Sequence, residues 1–277
     1  MKKLLSTCAV GAVFGALLAT SASAAPITLE LIDSYNRSSA FGLAFDGTNI
    51  WWSDSSRVIH EMTTSGVDTG RSFSGPVWSE LAWNGTQLIQ ARGNTVYYFD
   101  AGTGANMTTD TITAPGARAG GLTDGLDWDN GELWVSPDVS DVFRLNGDLD
   151  AQVGAGPFLG GAGGYSGVER IQGGSQDYLI VVNDASNPRQ LCVHNLDASL
   201  IGCESFQNSR YEGLAFDGRY LWAADFYGNR IDKYDILGDG GGSIIVPSPV
   251  PLPAGFPLLL SALGGFALFK RKTRKQS

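Results

Sequence analysis

Five acidic side chains interrupt apolar, glycine-bearing segments of this 277-residue chain: Glu80, Asp124, Asp127, Glu169 and Glu212. Related segments hold Phe41, Gly42, Ala44, Ala82 or Ala215 at such places, so the acids break a pattern that the rest of the chain keeps. Carboxylates gathered around one axis have two chemistries open to them. They hold a hard cation through oxygen ligands, or they divide acid and base roles around a scissile bond. Asp124, Asp127, Glu169 and Glu212 form the candidate metal set, and Ca2+ is the cofactor such a set would take, although no D-x-D-x-D-G loop accompanies them. The bland alternative is a solvated negative rim. His60 and His194 lie in alternating, strand-like segments away from the acids. No G-x-S-x-G elbow, H-E-x-x-H helix or P-loop occurs, so no catalytic residue is assigned.

The elements that must position these acids repeat. Gly42 to Asp54, Glu80 to Ile89, Gly125 to Trp134, Gly167 to Ile171 and Gly213 to Asp225 align on Leu43, Leu81, Leu126, Val168 and Leu214, at steps of 38, 45, 42 and 46 residues. That spacing suits one four-stranded blade per repeat. In each repeat a short apolar strand meets a two-residue turn: Asp46-Gly47, Asn84-Gly85, Asn130-Gly131, Gly173-Gly174 or Asp217-Gly218. These residues accept the positive φ that type I′ hairpins require. A second strand follows, then a third with period-two alternation, as in Arg57 to Met62 and Arg230 to Tyr234. Fourth strands are expected around Arg71 to Ser74 and Thr109 to Thr113.

The last repeat lacks a fourth strand, while Ile27 to Tyr35 is a strand without a repeat of its own. The expectation is an all-β, five-bladed β-propeller over residues 25–238, its last blade closed by this N-terminal strand. Innermost strands line the central channel of a propeller, which would bring the five acids together. The stretch from Gly147 to Ser166, about 20 residues, is too short for a sixth blade.

Two recurring residue types have structural explanations. Asp54, Asp138, Asp184 and Asp225 recur after the second strand, where a carboxylate accepts backbone N–H groups at the turn into the third. Trp51, Trp134 and Trp222 recur as packing between blades. Trp52, Trp78, Trp83 and Trp128 are irregular, and one of them, if exposed, would stack on a sugar ring.

The run from Gly213 to Tyr234, with Asn229-Arg230-Ile231 at its third strand, resembles the NHL and YVTN propeller repeats. That resemblance implies a propeller scaffold. Because such scaffolds serve binding proteins, lyases and sugar lactonases alike, it transfers no activity.

The ends of the chain carry address information. Met1-Lys2-Lys3, an apolar run from Leu4 to about Leu18, and Ala22-Ser23-Ala24 make a secretory signal peptide over 1–24, cut after Ala24 and implying the Sec translocon. Residues 239–249 read as a Gly/Pro-rich linker. A charge-free apolar segment at about 254–269 and a basic tail at 270–277 then suit a membrane helix with the tail in the cytoplasm and the propeller outside. The motif Val250-Pro251-Leu252-Pro253-Ala254-Gly255, followed by apolar helix and basic end, resembles the sorting signals of exosortase substrates, the PEP-CTERM class, in its VPLPA-CTERM variant. The resemblance implies an exosortase-type membrane protease as partner, cleavage near Pro251 to Ala254, and passage from an inner-membrane precursor to the cell surface or beyond.

Seven of the 19 Lys and Arg residues lie in these ends, so the central region carries a net charge of about −16. Such a surface repels phosphate backbones, which argues against nucleic acid as partner. Cys192 and Cys203 are the two cysteines of the exported region and are expected to pair. The expected function is an exported, surface-sorted binding or extracellular-matrix component that takes a glycan or protein ligand without turning it over. The alternative is a divalent-metal-dependent, lactonase-like hydrolase or lyase using the channel acids.

Overall fold

Short alternating segments that end at Gly-containing turns have one natural outcome, antiparallel meanders, and the chain folds into five of them. The computed structural model describes residues 28–115, 123–137, 141–160, 164–172, 176–183 and 186–237. Strand β1 (Thr28–Asn36) comes first in the chain but sits outermost in the last blade. Blade one is β2 (Ala40–Phe45), β3 (Asn49–Asp54), β4 (Val58–Thr63) and β5 (Asp68–Ser74). Blade two is β6 (Ala82–Trp83), β7 (Leu88–Arg92), β8 (Thr95–Phe99) and β9 (Asn106–Thr111). Blade three has β10 (Thr123–Asp129), β11 (Glu132–Pro137) and β12 (Phe143–Asn146). Blade four is β13 (Tyr165–Gln172), β14 (Asp177–Asn183), β15 (Arg189–Asn195) and β16 (Leu200–Phe206). Blade five is β17 (Tyr211–Phe216), β18 (Leu221–Asp225) and β19 (Arg230–Leu237), closed by β1.

The expected closure is therefore present: β1 pairs antiparallel with β19 from Thr28 opposite Leu237 to Asn36 opposite Arg230. A buried network fastens this seam. Asp232 accepts hydrogen bonds from Ser34 Oγ (2.6 Å), Tyr211 Oη (2.7 Å) and Arg230 Nε (2.9 Å). The hydrophobic residues fall into five clusters, one at each junction between neighbouring blades. Trp51 packs between blades one and two, Trp134 between three and four, and Trp222 between five and one. The recurring tryptophans are thus inter-blade wedges, as their spacing suggested. The stretch after β12 builds no sixth blade. Its residues run along the outer edge of blade three through the bridges Val142 to Leu159 and Leu145 to Gln152.

The hairpin turns differ from the sequence expectation. In blades one, two and five the central pair is Gly47-Thr48, Gly85-Thr86 and Gly218-Arg219, one residue later than expected, because Asp46, Asn84 and Asp217 donate their N–H to Asn49, Gln87 and Tyr220 carbonyls. Only the glycine has positive φ there (92°, 96° and 88°), the pattern of a type II′ turn. The shift places the Asp or Asn side chain before the turn, where Asp46 Oδ1 accepts the N–H of Thr48 and Asn49. Among the described turns Asn130-Gly131 alone keeps positive φ at both residues, 52° and 78°; Gly173-Gly174 lies outside the described residues.

Cys192 and Cys203 face each other across β15 and β16 and form the expected disulfide, with Cα atoms 4.1 Å apart. This is consistent with an oxidising, extracytoplasmic location. The signal peptide with Ala22 and Ala24, the linker, Val250 to Ala254 and the apolar segment at 254–269 lie outside the described residues, as do Asp138 and Asp184. Among the described residues no helix is long and apolar enough to cross a membrane.

Candidate functional site

The first strands of the blades touch in a ring around the axis: β2 meets β6 and β17, β6 meets β10, β10 meets β13, and β13 meets β17. At one level of that ring four blades carry glycine: Gly42, Gly125, Gly167 and Gly213. A Cβ on Gly42 would lie 2.7 Å from the Glu80 backbone, and one on Gly167 would lie 2.7 Å from the Glu212 carbonyl. The backbones approach too closely for any side chain. The fifth place at this waist belongs to Glu80, whose carboxylate lies against Gly213 and accepts the Leu43 N–H at 2.6 Å. Glu80 is fully buried, which drives its pKa well above the usual carboxylate range; the Leu43 and Leu81 N–H groups oppose this, and Glu212 and Asp124 add to it.

Two residues further along each first strand the ring reads Ala44, Ala82, Asp127, Glu169 and Ala215, and one step beyond it reads Phe45, Trp83, Trp128, Arg170 and Phe216. All of these except Ala215 line a cavity of about 450 Å³ at this mouth of the channel, together with Asp129, Gln172 and Gly218. The repeat explains why: alanine makes room at the floor and a large side chain walls the rim.

The acids of the cavity are bonded across blade boundaries. Asp127 Oδ2 accepts the N–H of Arg170 at 2.9 Å, and Glu169 Oε1 accepts the N–H of Phe216 at 2.9 Å. Burial lifts Asp127 to about 6 against the pull of the Arg170 and Trp128 N–H groups and the Arg170 charge. Burial lifts Glu169 well above its ordinary value, reinforced by Asp127 and Glu80 and opposed by the Phe216 N–H.

The four acids expected to share one cation thus occupy two levels. Asp127 and Glu169 line the cavity, whereas Asp124 and Glu212 are buried on the other side of the waist, Glu212 paired with Arg210. Among the described residues no three His, Cys, Asp or Glu stand close enough together to hold a metal ion. The histidines stay away from the channel: His60 stacks on Trp52 at 4.1 Å between ring centres and bonds Asp54, and His194 faces the Ala198 carbonyl with its pKa lowered by burial. Asp54 and Asp225 do the structural work expected of them, accepting the N–H groups of Ser56 and Val58, and of Arg210 and Gly228.

Of the four irregular tryptophans expected as sugar platforms, Trp83 and Trp128 line the cavity, Trp52 stacks on His60 and Trp78 packs on Phe41, while Arg170 was not foreseen. Its guanidinium is gripped by Asp129 and, at 2.5 Å, by Asp177. Its Nε is buried with no hydrogen-bond partner among the described residues. The alignment held a signal, since Arg170 stands where every other repeat has an aromatic ring. A second departure accompanies it. Asp46 and Asp217 each accept the indole N–H of Trp51 and Trp222, at 2.7 and 2.9 Å, across their hairpins. Asp129, the equivalent residue of blade three, turns to Arg170 instead and leaves the Trp134 indole N–H without a partner among the described residues.

No family model matches this chain, and no curated protein matches it. Solved structures do. Glutaminyl cyclase from Myxococcus xanthus is similar over 76% of this chain and 97% of its own, at 13% identity and a TM-score of 0.57. Regucalcin, a calcium-binding protein from Agrobacterium tumefaciens, is similar over 81% of this chain and 97% of its own, at 13% identity and a TM-score of 0.51. At such identities the likeness establishes the β-propeller fold and nothing finer.

Proposed function

We propose that this chain is an exported propeller, sorted to the cell surface, whose channel-mouth cavity binds a glycan without turning it over. One observation carries the reading: Trp83, Trp128, Phe45 and Phe216 wall a cavity that also presents Asp127, Glu169 and Arg170. Aromatic faces stack on sugar rings, while a few fixed polar groups bond hydroxyls. Titration of purified protein with oligosaccharides from bacterial surface polymers, followed by tryptophan fluorescence, tests it. Binding should fall at least about fivefold in Trp83→Ala/Trp128→Ala, given about 0.5–1.5 kcal/mol per aromatic contact beyond area burial. Unchanged affinity in that variant would remove the cavity as the site.

The divalent-metal hydrolase or lyase reading retains one favourable observation, two carboxyls of raised pKa in a cleft. It predicts a rise in melting temperature with Ca2+ and lactone or glycoside turnover that Glu169→Gln abolishes. Neither effect is expected from a binding protein. For the ends of the chain, the reading is Sec export, anchorage through residues about 254–269, and cleavage by an exosortase-type protease within Val250 to Ala254. Mass spectrometry of the mature protein should find neither Ala24 nor Ser277, and an intact Ser277 would refute processing.

A further inference from the structure

We propose that the sugar held in the cavity carries a protonated amine, so that the ligand is a cationic amino sugar; this rests on the glycan reading above. The cavity combines the two features that recognise an organic ammonium group. Four aromatic side chains line it, and the negative face of an aromatic ring attracts cations, most strongly in a desolvated site. Asp127 and Glu169 line the same wall, and each commits one oxygen to a backbone N–H of the next blade.

Among the described residues the only cation lining the cavity is Arg170, and it is already answered by Asp129 and Asp177. The lining therefore holds three carboxyls against one guanidinium, inside a domain of net charge about −16. A neutral sugar would leave Asp127 and Glu169 partly desolvated with only the Arg170 charge nearby, itself held by Asp129 and Asp177, and a uronic acid would add a repulsion. A protonated amine supplies the missing charge at the place where burial has made the carboxylates costly to ionise. The field of the domain also draws cations toward the opening.

Calorimetric titration of the purified full chain near neutral pH with three tetrasaccharides of matched size tests this: glucosamine, N-acetylglucosamine and glucose oligomers. The glucosamine oligomer should bind at least about tenfold tighter than the other two, the size expected of a desolvated cation over aromatic faces. Its affinity should fall by a similar factor in Asp127→Asn/Glu169→Gln, which keeps both backbone acceptors. Equal binding of all three oligomers would overturn the amine while leaving the glycan reading standing. If none of the three bound, both readings would fall. Should the double variant not fold, the comparison of the three ligands on the unaltered protein decides by itself.

Discussion

Asp127 shows what the cavity asks of one residue. Its pKa rises from 3.8 to about 6 on folding, chiefly through burial. An acid whose folded-state value is raised holds its proton more tightly when folded. Its contribution is therefore most favourable below pH 4 and is lost as pH climbs to about 6, a change on the order of 3 kcal/mol. Thermal melts from pH 4 to 7 should show Asp127→Asn stabilising the protein at pH 7 and doing nothing at pH 4; equal effects at both would contradict this. The indoles offer a second comparison at this scale. Trp222→Phe removes the bond to Asp217 and should cost about 1 kcal/mol more than Trp134→Phe, whose N–H has no partner among the described residues. Urea unfolding measures the difference.

Much at this scale was legible in the sequence, because the acids and the irregular tryptophans stand out against a repeat. Two things were not. That Glu80, Asp127 and Glu169 each bond the N–H of a neighbouring blade depends on which strands abut, and no single repeat encodes it. Arg170 lay within the aligned segment, at the place marked by Phe45, Trp83, Trp128 and Phe216, but its grip by Asp129 of the blade before and Asp177 of its own hairpin appears only once the strands are paired.

At the scale of elements, the hairpins and the waist of the channel make opposite demands on glycine. Gly47 needs only a positive φ and has open space around it, so Gly47→Ala should cost about 1 kcal/mol in strain. Gly213 has an ordinary φ, yet a Cβ there would collide with the Phe41 carbonyl and the Glu80 carboxylate. Gly213→Ala should therefore cost at least about 3 kcal/mol, or prevent folding, since blades one, two and five cannot all retreat from one added methyl. Chemical denaturation of the two variants side by side checks the order. The sequence placed glycine at both sites but put the turns one residue early. The I′ expectation rested on Asp-Gly alone, whereas the capping bonds of Asp46 to Thr48 and Asn49 favour glycine in the first central position. The disulfide is a smaller element of the same kind. It joins cross-strand neighbours 11 residues apart, so replacing both Cys192 and Cys203 with Ser should cost about 2–3 kcal/mol without changing the fold.

At the scale of the molecule, five interfaces and one returning strand close the ring, and the ring defines the site. The repeat spacing and the orphan N-terminal strand made that architecture readable, because each blade must bury its two faces against neighbours. Closure also determines the division of the channel. Glu80 and the four glycines form the waist, Asp127 and Glu169 lie on one side with the aromatic rim, and Asp124 and Glu212 lie on the other. The opposite side has aromatic residues too, with Phe41, Trp78 and Phe226 in mutual contact and Tyr227 exposed under Arg189 and Arg210. A crystal structure of the protein with its tightest-binding oligosaccharide separates the two mouths directly. A sugar ring is expected against Trp83 or Trp128, with a polar atom in hydrogen-bond reach of Asp127 or Glu169. A sugar seated against Trp78, Phe226 or Tyr227, with the cavity holding none, would contradict it.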